Sequence, residues 1–122
     1  MEVDEYRRYD GLGLAALIRS GEVSREEVLA AACSAIEAGN PRLAAVVRTR
    51  FERARAEGRQ IDGDAPFAGV PTLTKDLLMA IGGEPLAFGS ASMASWQAPE
   101  DSTLVARLRE AGLAILGQTV TP

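Results

Sequence analysis

Lys75 is the residue whose type and setting most clearly allow chemistry. It ends an apolar, extended run, Val70-Pro71-Thr72-Leu73-Thr74, and Asp76 follows it. With Gly69 before it, such a run suits an extended segment that enters a buried site. Burial strips water from a lysine amine and favours its neutral form, and a neutral amine can act as a general base. Only a well-enclosed site supplies that effect. The same position also suits an exposed Lys75–Asp76 pair at a strand end, and position alone favours this plainer arrangement.

The remaining reactive residue types offer less. Cys33 is the one cysteine, so no disulfide forms within the chain, which fits a reducing, cytoplasmic setting. It lies in a helical pattern between Ala32 and Ser34 and is expected to be a small buried thiol, because the chain has no His to activate it. Without His, and with no ligand spacing among Asp and Glu, no metal or other cofactor is expected. Trp96, in an irregular segment, suits a substrate wall but is expected rather to anchor that segment from inside, and Met79 and Met93 to fill gaps.

Composition narrows the partners. The net charge is −4 and the pI about 4.8, which opposes nucleic-acid binding. Arg48, Arg50, Arg53, Arg55 and Arg59 are interleaved with Glu52 and Glu57 and read as a solvated helix face. The first ten residues are too polar for a signal peptide, and no apolar run approaches the roughly 18 residues of a membrane span.

Several elements must position Lys75. Asp10 can cap a helix reaching about residue 19, with Leu14, Leu17 and Ile18 on one face and Gly21 closing it. Ser24 and Glu27 form a capping-box pattern, followed by Leu29, Ala32, Cys33 and Ile36 at helical spacing, with Gly39 and Pro41 as the stop. Residues 44–48 suit a short strand, and residues 51–58 a charged helix with little to bury. Residues 62–66 are a loop, and 82–100 a long irregular stretch. Asp101 or Ser102 can cap a last helix with Leu104, Val105 and Leu108 buried and Gly112 as its stop, before a buried strand at 113–116. Helix, Gly and apolar strand in succession are half of an α/β unit. The chain thus divides into a mainly helical opening, 1–60, and a part carrying the lysine run, helix and strand, 61–122. Scarce aromatics and abundant Ala make the core thin.

Gly69-Val70-Pro71-Thr72-Leu73-Thr74-Lys75-Asp76 resembles the G-V-P-x-x-x-K-D motif of amidase-signature hydrolases. Residues 101–112 are similar to that family's helix, and Leu113 to Gly117 with Thr119, Thr121 and Pro122 to its next strand and turn. Ser24, Glu26, Glu27, Val28 and Asn40-Pro41 resemble its opening. The resemblance implies the N-terminal portion of an amidase-signature α/β/α fold with a mixed sheet, incomplete in this chain, as the ending at Pro122 directly after a strand also suggests.

The implied chemistry is hydrolysis of a carboxylic amide by a Ser, cis-Ser and Lys triad, through an acyl-enzyme, to an acid plus ammonia or an amine. By resemblance Lys75 is the triad lysine, and Gly69, Val70, Pro71 and Asp76 frame it. Gly89 and Ser90 resemble a small-residue turn that can line the site or permit close packing. Gln118 and Val120 stand where the family most often has Lys and Asn. The segment that carries both serines lies beyond Pro122, so this chain alone is expected to be inactive. Its partners would be a small-molecule amide and either the C-terminal remainder of the enzyme or a second copy, because the apolar faces of the second and last helices and of strand 113–116 would lack part of their cover. One alternative is the amidase subunit of a tRNA-dependent amidotransferase, although that subunit typically has Met-Asp-Glu-Phe where Thr121-Pro122 stands. The other is a non-catalytic α/β interaction domain with Lys75 freely solvated.

Overall fold

A computed structural model describes residues 1–122. A single turn, α1 (Val3–Tyr6), opens the chain. It is too short for any periodicity to announce it. Helix α2 (Gly11–Ser20) starts where Asp10 Oδ1 accepts the Gly13 N–H at 2.8 Å, and ends at Gly21. Helix α3 (Arg25–Leu43) begins with the expected capping box: the Glu27 N–H donates to Ser24 Oγ at 3.2 Å, and the Ser24 N–H donates to Glu27 Oε2 at 2.8 Å.

The expected stop at Gly39 and Pro41 is overrun. The helix continues to Leu43, and Ala44 takes the left-handed cap. Pro41 forfeits one backbone hydrogen bond in the last turns, and Asn40 secures the end. Its side chain exchanges two hydrogen bonds with the Val46 backbone, at 2.9 and 2.8 Å. That clasp delivers the chain into strand β1 (Val46–Thr49).

Helix α4 (Phe51–Gly58), strand β2 (Pro71–Lys75), helix α5 (Thr103–Glu110) and strand β3 (Ala114–Thr119) complete the fold. The sheet order is β1-β3-β2, with β1 antiparallel and β2 parallel to the central β3. A parallel pair needs a long crossover, and residues 76–113 supply it through the irregular 82–100 stretch and α5. That stretch carries one 3-10 turn at Ala91–Met93 and an isolated bridge between Pro85 and Gln97.

β3 is buried from Ala114 to Gln118. Ala114 and Leu116 pack with Leu29, Ala32 and Cys33 of α3 and Ala54 of α4. Ile115 faces the opposite way, onto Ile81 and Val105 of α5. The result is an α/β fold with a mixed sheet covered on both faces. Residues 114–116, where the apolar pattern predicts a strand missing part of its cover, are instead buried by the chain's own helices. Helix α4 likewise buries more than expected, through Ala54 and Gly58. Leu104, expected inside, is 50% exposed, because Val105 is the residue of α5 that points at Ile115 and its neighbour lies a third of a turn away. Trp96 is also at the surface, 44% exposed, so it does not anchor its segment from within.

Close approach of β1 to β3 depends on Gly117. A Cβ there would lie 2.2 Å from the Arg48 carbonyl oxygen.

Candidate active site

Strand β2 carries Lys75 to its carboxyl end, beside the end of the parallel strand β3, where Lys75 pairs in register with Thr119. In open α/β sheets, ligands bind in the crevice outside the carboxyl ends of strands. The two ends are tied together beyond the ladder. The Asp76 N–H donates to the Thr119 carbonyl at 3.0 Å, and Thr121 Oγ1 donates to the Asp76 carbonyl at 3.0 Å. Lys75 is half-buried, its backbone N–H meets Met79 Sδ at 3.3 Å, and its side chain forms no ion pair and no hydrogen bond.

Asp76 is not its partner. The plain alternative of an exposed Lys75–Asp76 pair fails because Asp76 turns inward and is only 3% exposed. Its carboxylate accepts the Ala87 N–H at 2.8 Å and pairs with the guanidinium of Arg48 on β1. Arg48 Nε in turn donates to Gln118 Oε1 at 2.8 Å. Gln118, on β3, is 2% exposed, and its Nε2 is the one buried side-chain polar atom without a partner. The site end of the sheet is therefore braced by a side chain from each strand or its end.

The other motif residues divide between two places. Pro71 opens β2, and Val70 is buried against Leu14, Ala15 and Val28 of the helical opening. Gly69 takes a φ of 89° where a Cβ would lie 2.5 Å from Arg25 Cγ. Val70 is five residues from Lys75, roughly 16 Å along an extended strand. Gly69, Val70 and Pro71 thus seat the start of the strand, and only Asp76 of the framing residues adjoins Lys75. Gly89 lies at the lysine end, where a Cβ would sit 3.6 Å from Thr121 Cβ. Ser90 donates its N–H to the Ala87 carbonyl at 2.8 Å, and its Oγ bonds Ser92 Oγ at 2.8 Å.

The arginines read as a solvated face behave in two ways. Arg53 and Arg59 do stay mostly in solvent. Arg48 and Arg50 do not. Arg50 is buried, donates to the Ile115 carbonyl at 2.9 Å and pairs with Glu57 and Glu84 at 2.5 and 3.1 Å. Burial works against its charge, but the hydrogen bonds and charges of Glu57 and then Glu84 outweigh it and raise its pKa. Glu57 is bridged further to Arg109 at 2.7 Å, which also reaches Asp101 at 2.8 Å. Asp101 accepts the Gly82 N–H at 2.7 Å. This network joins α4, β3, α5 and the irregular stretch that returns to Asp76.

One signal for Lys75 lies in plain counting. It is the only lysine among thirteen basic residues, and the chain has no His. Arginine does not give up its proton in proteins, so Lys75 is the only basic side chain here that can work as a proton acceptor. Cys33 is buried as expected, and burial pushes its thiol pKa up. No group of three His, Cys, Asp or Glu side chains is placed to hold a metal ion, and no helix is long and apolar enough to cross a membrane. None of the concavities is lined by Lys75; the most apolar, an open groove of about 440 Å³, lies between α1, α3 and β2, against Tyr6, Ile36, Leu43 and Leu73.

Fold and motif together define an amidase-type α/β chain, and comparison with known proteins agrees. Residues 27–122 match the family model described as Amidase. The 6-aminohexanoate-cyclic-dimer hydrolase of Paenarthrobacter ureafaciens is 41% identical over 115 residues, which cover 93% of this chain and 23% of that protein. A glutamyl-tRNA(Gln) amidotransferase subunit from Salinispora tropica is 39% identical over 113 residues, covering 87% of this chain and 23% of that one. A solved structure of 6-aminohexanoate cyclic dimer hydrolase superposes with a TM-score of 0.89 at 40% identity, over 93% of this chain and 24% of that one. The chain belongs to the amidase-signature family. It spans about a quarter of the length of these relatives.

Proposed function

We propose that this chain is the lysine-bearing part of a single amidase domain, in a serine amidase that hydrolyses carboxylic amides, and that Lys75 is the lysine of its Ser, cis-Ser and Lys triad. The reading rests on one observation above all. The only lysine of the chain stands at the carboxyl end of a parallel strand with its amine unpaired, while the neighbouring carboxylate is engaged elsewhere. An amine held free of a carboxylate can exchange a proton with a serine, and a second serine would relay that proton from the nucleophile. Attack on the amide carbonyl then gives an acyl-enzyme and releases the amine, and water completes hydrolysis. Gly89 and Ser90, held near Thr121 and Ala87, would lie beside that relay.

Neither a nucleophile nor an enclosing wall for Lys75 comes from these residues, so the chain alone would not hydrolyse amides. Its partner would be the remainder of an amidase domain, closing over the half-buried lysine. The amidotransferase alternative would use the same lysine, and Thr121-Pro122 in place of Met-Asp-Glu-Phe weighs against it.

The test is a graft. Residues 1–122 replace the matching segment of the Paenarthrobacter ureafaciens hydrolase, and turnover of the 6-aminohexanoate cyclic dimer is measured. The chimera should be active, and Lys75→Ala should lower kcat by about 10²–10⁴-fold without unfolding it. A folded Lys75→Ala chimera with parental activity would remove the proposed role.

A further inference from the structure

Asp76 follows Lys75 directly and is buried, so its charge must be met inside the fold. The cation that meets it comes from Arg48 of β1, although β1 and β2 are not neighbours in the sheet. Between them stands Gln118 of β3, whose register partners are Arg48 on one side and Thr74 on the other. Gln118 clamps the arginine through its Oε1, which fixes the orientation of the amide and leaves the buried Nε2 without an acceptor. Here the neutral amide occupies the centre of the sheet, and the charge reaches Asp76 from one strand farther out.

We propose that Arg48 is a positioning residue: held by Gln118, it neutralises Asp76, and through Asp76 it fixes both the end of β2 that carries Lys75 and the turn beginning at Ala87. The inference rests on the reading of Lys75 as the triad lysine. The mechanical path is short. Asp76 bonds Thr119 and Thr121 through its backbone and Ala87 through its carboxylate, so the side chain holds the Ala87 turn directly and, by staying inside, holds the backbone that makes the other two bonds. Without Arg48 the carboxylate would be left as an uncompensated buried charge. It would turn to water, releasing Ala87 and letting the residue before it drift.

Position 118 lies between the two partners, so it also offers a place to supply the cation from the central strand. In the chimera described above, Arg48→Met removes the charge and keeps the methylene packing. We expect kcat to fall by about 10- to 100-fold, the scale of a misplaced catalytic group, with KM near the parental value. Adding Gln118→Lys to Arg48→Met should restore most of kcat, whereas Gln118→Lys alone, which sets two cations on one carboxylate, should not raise it. A folded Arg48→Met chimera with parental kcat would overturn the proposal, and so would a double variant that stays slow or fails to fold. If Arg48→Met alone does not fold, an active double variant still supports the exchange. The controls separate the two readings. Activity surviving Lys75→Ala defeats the triad assignment, while an inactive Lys75→Ala beside an unaffected Arg48→Met defeats only the role of Arg48.

Discussion

The Ala87 amide donates to the Asp76 carboxylate at 2.8 Å, so the irregular stretch that follows β2 is pinned back to the residue next to Lys75. This bond joins positions eleven apart in the chain and brings the Gly89 turn to the lysine end of the sheet. Asp76→Ala should lower unfolding free energy by about 3 kcal/mol, since it removes a charge-assisted hydrogen bond and strands a partly buried arginine. Asp76→Asn keeps an acceptor for Ala87 and should cost less. Urea denaturation ranks the two, and an Asp76→Ala midpoint equal to that of the parent would contradict the assignment.

Two glycines should respond in opposite directions. Gly117→Ala drives a Cβ to 2.2 Å from the Arg48 carbonyl, which is backbone and cannot step aside without parting β1 from β3. The loss should be about 3 kcal/mol or more, enough to unfold a thin core. Gly39→Ala lies within α3, and its Cβ would meet only the Leu43 side chain, at 3.7 Å. It should stabilise by about 0.5–1 kcal/mol, because Gly is the poorer helix former. Thermal melts followed by circular dichroism compare them directly; a Gly39→Ala chain that melts lower than the parent would refute the second expectation.

Glu57 should make stability sensitive to acid. Burial alone would raise its pKa, but the hydrogen bonds from Arg50 and Arg109, with their charges, bring it below the usual 4.5. A carboxyl depressed in the folded state contributes stability above its unfolded value, and that contribution is lost as pH falls through the folded value. Glu57→Gln should therefore melt lower than the parent at about pH 6–7, with the gap closing below about pH 4.5. A gap that stays constant down to about pH 3 would mean that the two arginines do not hold this carboxylate.

Much of the frame was legible because its causes are local. Asp10 bonds Gly13, and Ser24 bonds Glu27, each across three residues, so the starts of α2 and α3 can be read from adjacent letters. The run from Gly69 to Asp76 is contiguous, and that is why the strand bearing Lys75 and the family it points to are visible in the letters alone. The end of α3 was less legible, because the Asn40 clasp on Val46 competes with the breaking tendency of Pro41 and prevails.

By itself, then, the sequence determined where most of the helices and strands begin, which family they belong to, and that a lone lysine closes an extended run. The tertiary structure decided who faces whom. Arg48 and Asp76 are 28 residues apart, and Arg48 and Gln118 are 70 apart, so no pattern of neighbouring letters announces that they meet. Five arginines in one stretch look alike as text. Folding sends Arg48 and Arg50 inward and leaves Arg53 and Arg59 in water. The physical reason is that a buried charge is tolerable only where another element brings its counter-charge within reach, and only the packed sheet determines where that happens.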